Sequence, residues 1–152
     1  MSAYYRGVCH CGSIIPMHET FDHTADLGLR IVAADLATLF AEAGSALFAA
    51  IVEDLSTIQP VQRYELELPS DDCELLLFDW LKELLYKFDS EQVVFGRFEV
   101  KVDDTGLKGT AWGEPLDRNR HILLHEVKAI TYHGLSVKRV AEGWQAEVIV
   151  DI

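Results

Sequence analysis

The chain closes with Leu135-Ser136-Val137-Lys138-Arg139-Val140-Ala141-Glu142-Gly143-Trp144-Gln145-Ala146-Glu147-Val148-Ile149-Val150-Asp151-Ile152. Leu135, Val137 and Arg139 fall on one face of a strand, the chain turns at Ala141-Glu142-Gly143, and Trp144, Ala146, Val148 and Val150 fall on one face of the return strand. Such a period-two pattern on both sides of a short glycine-bearing break is an antiparallel hairpin, which needs no crossover helix. A second hairpin lies upstream, Val93 to Val102 and Leu107 to Trp112, joined at Asp103-Asp104-Thr105-Gly106 with Gly106 free to take a positive φ. The stretch Gly113 to His125 between the hairpins is polar and reads as loop.

Two helices precede them. Asp35 is placed to cap the first, whose Leu36, Leu39, Phe40, Ala43, Leu47, Ala50 and Ile51 recur at helical spacing. Ser70 or Asp72 caps the second, with Asp71 and Glu74 suited to its positive end. Leu77, Phe78, Leu81, Leu84, Leu85 and Phe88 form its stripe, and Leu75, Leu76 and Trp80 widen it, so heavy burial is predicted. A strand from Arg63 to Leu68 separates the helices, and strands leading to Phe21 and from Gly28 to Ala33 come before them. Strands, helix, strand, helix, then several strands is not a regular βαβ array. The prediction is α+β: a layered sandwich of two main helices packed on a mixed, mostly antiparallel sheet.

At 152 residues one domain is expected, residues 17–152, preceded by a flexible extension, residues 1–16. Twenty-five acidic against 13 basic residues give a net charge of −12. That field repels phosphate backbones, so no direct nucleic-acid binding is expected; cations and basic protein surfaces are favoured instead. Three cysteines at uneven spacing fit a reducing compartment. No apolar run of membrane-spanning length occurs, and the expected location is cytoplasmic.

Asp26, in Phe21-Asp22-His23-Thr24-Ala25-Asp26-Leu27-Gly28, and Asp151, one residue from the Ile152 carboxylate, are acids at the two ends of the fold. Brought together, they form an oxygen-rich pocket for a hard cation. The plain alternative is that Asp26 caps a turn and Asp151 is a solvated strand residue. Period-two alternation counts against it by placing Asp151 on the Ile149 face, opposite Val148 and Val150. In Glu126-Val127-Lys128-Ala129-Ile130-Thr131-Tyr132-His133, Lys128 is either a phosphate or carboxylate contact or a snorkelling edge-strand lysine. His121, upstream, and His133 are weak signals by themselves. Cys9-His10-Cys11 lacks the spacing and fourth ligand of structural zinc. No dinucleotide-binding glycine motif, P-loop, nucleophile elbow or EF-hand loop is present.

These motifs, together with Leu77-Phe78-Asp79-Trp80-Leu81-Lys82-Glu83-Leu84-Leu85-Tyr86 and Val150-Asp151-Ile152, resemble the archease family from about Met17 to the end. The resemblance implies a layered α/β fold and a protein cofactor of RtcB-type RNA ligases, promoting ligase guanylylation and repeated turnover in tRNA splicing or RNA repair. It implies a divalent metal, calcium with magnesium or manganese as alternatives, on Asp26, Asp151 and Ile152. Lys128, His23 and His133 carry over as partner-activating positions, and no catalytic residue is implied. Two other readings stand beside it. One is a metal-dependent phosphoesterase or hydrolase using the same carboxylates with His23 as base; the other is a general chaperone or interaction module.

Overall fold

The computed structural model describes residues 15–23 and 26–152. Its elements run β1 (Met17–His23), β2 (Asp26–Ala33), α1 (Leu36–Ile51), a 3-10 turn (Leu55–Thr57), β3 (Gln62–Pro69), α2 (Cys73–Glu91), β4 (Val93–Asp103), β5 (Gly106–Pro115), β6 (Ala129–Ile130), β7 (Ser136–Val140) and β8 (Gly143–Asp151). Two helices on antiparallel sheet are as the sequence indicates. The strands, however, divide between two sheets, one of order β1-β2-β8-β6 with β7 also on β8, the other of order β3-β5-β4. Every strand pairing among the described residues is antiparallel.

Asp35 caps α1 as its sequence indicates, its carboxylate accepting the Thr38 N–H at 2.8 Å. Asp72 does the same for α2, accepting from Glu74 and Leu75, so of the two candidate caps it is Asp72 that acts. α2 continues past Phe88 to Glu91 and stops where Gln92 turns left-handed at φ 55°. At the β4–β5 turn Gly106 takes φ 145°, and a Cβ there would lie 2.1 Å from the Leu68 carbonyl oxygen; glycine is required on both counts.

α1 is apolar nearly all round, which is the signature of a helix buried on every side. It packs on β2 and β8 of the larger sheet and on β4 of the smaller one, where Gly44 lets the Phe98 ring approach. Its one charged residue, Glu42, meets His18 Nδ1 at 2.6 Å. α2 fastens alongside, the Trp80 indole N–H donating to the Phe40 carbonyl at 2.8 Å and its ring filling the space over Gly109. The helical layer therefore seals the inner faces of both sheets, and Leu29, Ile31, Leu39, Phe40, Leu47, Phe48, Trp80, Leu81 and Val148 are almost wholly removed from water.

The larger sheet fixes where the acids go. β8 is a central strand, flanked by β2 on one side and by β6 and β7 on the other. Ala146, Val148 and Val150 point into the core, and Ile149 is also buried on the opposite face. A strand buried on both faces belongs inside a sheet. Among the described residues no helix is long and apolar enough to cross a membrane.

Candidate functional site

The register of β2 on β8 pairs Leu27 with Val150. Continuing it by one step sets Asp26 opposite Asp151, and the same row takes in His23 beyond Asp26 on β1 and Ala129 beyond Asp151 on β6. Positions directly opposite in an antiparallel pair have Cβ atoms about 4.5–5.5 Å apart, and like charges there are destabilising unless something neutralises them. Both aspartates belong to the face turned away from α1, the face of Gly28, Arg30, Glu147 and Ile149. Each is half-buried.

Ile152, next to Asp151, is partly buried against the core cluster at the same end of the sheet. The donor set of the two aspartates is all oxygen, which suits a hard divalent cation over zinc or copper. Among the described residues no group of three or more His, Cys, Asp or Glu side chains converges as a metal cluster. Asp26 and Asp151 bring two carboxylates together, fewer than the roughly six to eight oxygens a calcium ion takes.

The segment carrying Lys128 runs beside this end. The Lys128 N–H donates to the Asp151 carbonyl at 2.7 Å, while its side chain is exposed. Two residues past Ala129, the Thr131 N–H and hydroxyl both donate to the Ile149 carbonyl, at 3.1 and 2.9 Å. The chain then turns through Gly134, φ 68°, which sits over Ile149. His133 lies in that turn and is exposed. His121 stands apart from this group, buried in a different cluster. Cys9-His10-Cys11 lies outside the described residues.

Two charged clusters escaped the sequence reading. In the first, the buried Glu114 carboxylate accepts both Arg120 Nη groups (2.6 and 2.9 Å), the Gln59 N–H (2.8 Å) and His121 Nε2 (2.9 Å). His121 Nδ1 accepts the Asp117 N–H at 3.0 Å, which fixes the tautomer with the proton on Nε2. The Arg120 guanidinium, above all, holds the Glu114 carboxyl down at about 2. This cluster fastens residues 116–121 to the 3-10 turn and to the end of β5. In the second, Arg30 Nη1 meets Glu19 at 2.7 Å and its Nε meets Glu147 at 2.6 Å, with Phe21 beneath the guanidinium. The three charges cross-link β1, β2 and β8 on the same face, four residues along each strand from the acidic row. The second cluster has no local signal, since Arg30 and Glu147 lie 117 residues apart; the side chains of the first lie close in sequence, while their tie to Gln59 is distant.

The fold is thus α+β, with Asp26 and Asp151 on adjacent strands at one end of the larger sheet. The sequence comparisons give the family. The model of the Archease protein family (MTH1598/TM1083) matches residues 18–152. The protein archease of Pyrococcus furiosus is 39% identical over 139 residues, covering 88% of this chain and 97% of that protein. The protein archease of Methanosarcina acetivorans is 36% identical over 140 residues, 89% of this chain and 95% of that one. The chain belongs to the archease family. Among solved structures, Methanobacterium thermoautotrophicum protein 1598 superposes with TM-score 0.77 at 36% identity, over 88% of this chain and 96% of that one. An archease of Thermotoga maritima, described as a possible chaperone, shares the fold at TM-score 0.62 and 22% identity, over 87% and 94%.

Proposed function

We propose that this protein activates an RtcB-type RNA ligase, promoting its guanylylation and repeated turnover in tRNA splicing or RNA repair, and that its acidic sheet end is the part that acts. The observation that carries the reading is the register that sets Asp26 opposite Asp151, with Ile152 beside it. Membership of the archease family supports the choice of partner class.

Asp26, Asp151 and the Ile152 carboxylate would hold a hard cation, calcium or alternatively magnesium or manganese. A divalent cation bound there would offset most of the negative charge of the facing carboxylates. The chain's own residues do the rest. Ile152 packs against the core beside Asp151, the Lys128 N–H fixes the Asp151 carbonyl, and the Lys128 ammonium stands exposed for an anionic group of the partner. Lys128, His23 and His133 are the positions we assign to partner activation. Activation of this kind requires only that the tip bind the transfer-competent ligase conformation more tightly than the others.

The test is ligase guanylylation under multiple turnover with the unaltered protein, Asp26→Ala or Asp151→Ala. Loss of stimulation in folded variants is expected; full stimulation by both would overturn the role of the tip. Phosphoesterase turnover by the protein alone with added divalent cations, abolished by Asp26→Ala, would instead favour an enzyme. Suppressed aggregation of unrelated clients, insensitive to both changes, would favour a chaperone.

A further inference from the structure

Residues 122–125 run extended along the end of α1. The Ile122 carbonyl accepts the Glu53 N–H at 2.8 Å, and the Leu124 and His125 N–H groups donate to the Ile51 and Ala50 carbonyls at 2.8 and 3.1 Å. Leu123 bridges Val52 in the antiparallel sense. In a bridge of this kind the bonds come from the residues on either side, so the N–H and C=O of Leu123 itself point to the opposite edge. Among the described residues neither group has a hydrogen-bond partner. His121, at the start of the strip, is buried and clamped by Glu114, so the strip is held at both ends.

Its side chains alternate as in a strand. His121 and Leu123 turn inward, whereas Ile122 and Leu124 leave 60% and 51% of their surface in solvent. Sheet edges are normally guarded by charged side chains or proline. The edge strands β3 and β4 follow that rule with Arg63, Glu65, Arg97 and Glu99. Ile122, Leu123 and Leu124 offer neither guard. An apolar edge with an open backbone donor and acceptor is suited to one thing, a further strand.

The sequence says which strand. Arg120-His121-Ile122-Leu123-Leu124-His125-Glu126 reads almost alike in both directions about Leu123, with a cation at one end and an anion at the other. A two-fold axis beside Leu123 lays a second copy of the segment antiparallel to the first. Leu123 of each copy then exchanges N–H···O=C bonds with Leu123 of the other, and Ile122 lies opposite Leu124 on the outward face. Directly opposed side chains have Cβ atoms about 4.5–5.5 Å apart, within apolar contact. Arg120 of each copy comes beside Glu126 of the other, so unlike charges meet at both ends. We infer that residues 122–124 are a self-pairing edge through which two copies of this chain associate. The contact uses the same patch on both copies, as a closed pair requires. The patch is small, so a Kd on the order of 0.1 mM is expected. The pairing stands independently of the activator reading.

Sedimentation equilibrium of the full chain from about 10 µM to about 1 mM brackets that affinity. The mass is expected to climb across this range from that of one chain towards that of two. Leu124→Lys sets a cation against Ile122 of the other copy and should raise Kd by at least about tenfold. Because Leu124 is exposed, its urea midpoint should match that of the unaltered protein. The register has its own readout, in a background carrying Cys9→Ser, Cys11→Ser and Cys73→Ser. There Ile122→Cys mixed with Leu124→Cys should give a disulfide-linked pair on mild oxidation, and neither variant alone should do so. A single-chain mass at every concentration would overturn the inference, as would a pair that Leu124→Lys leaves intact. Unaltered self-association with loss of ligase binding in Leu124→Lys would also overturn it and give the edge to the ligase.

Discussion

Replacing Glu114 by Gln should lower stability at neutral pH and flatten its fall in acid. In the folded protein the carboxyl is held at about 2 against an ordinary 4.5, chiefly by the paired Arg120 bonds. A folded value below the unfolded one means the unfolded chain binds the proton first. The contribution is therefore complete above about pH 4.5 and is lost as pH falls through 4.5 towards 2. A depression from 4.5 to about 2 amounts to about 3 kcal/mol, of which about 2 kcal/mol is gone by about pH 3. Glutamine cannot take the proton, and its amide places N–H groups against Arg120 and His121 donors. Urea unfolding of both proteins at a series of pH values from about 7 to about 3 measures the effect. The variant should be less stable by about 3 kcal/mol near neutrality, with the gap narrowing to about 1 kcal/mol near pH 3. Parallel stability curves, with a constant gap across that range, would refute the assignment of the acid sensitivity to Glu114.

Three other perturbations follow from packing and pairing. Gly109→Ala would set a Cβ 2.4 Å from the buried Trp80 ring, and since that ring is pinned by its bond to Phe40, a loss of about 2–3 kcal/mol is expected in chemical denaturation. Asp35→Ala removes the cap that accepts the Thr38 N–H and should cost about 1 kcal/mol, restored by Asp35→Ser. Arg30→Met strands the buried Glu19, whose Oε2 already lacks a partner. It should destabilise by about 2 kcal/mol in urea unfolding, and adding Glu19→Gln should recover most of that.

What could be read from the chain unaided was what depends on near neighbours. Asp35 and Asp72 lie within reach of the amides they cap, and Gly106 answers to its own turn. The stripe from Leu77 to Phe88 follows from 3.6-residue periodicity alone. Alternation likewise placed Val148 and Val150 inward and Asp151 on the other side. The same alternation is silent about which strand lies beside which, because it reports a face and never a partner. So the division into two sheets, the seating of β8 between β2 and β6, and the tethering of His121 to Glu114 rather than near His133 were decided only by the tertiary structure. Its physical basis is burial: Leu29, Ile31, Ala146, Val148 and Val150 leave water together only if the last strand enters the middle of the larger sheet. Asp26 and Asp151 are carried to one row by that choice. The sequence named both acids, and the hydrophobic strands between and around them set their separation.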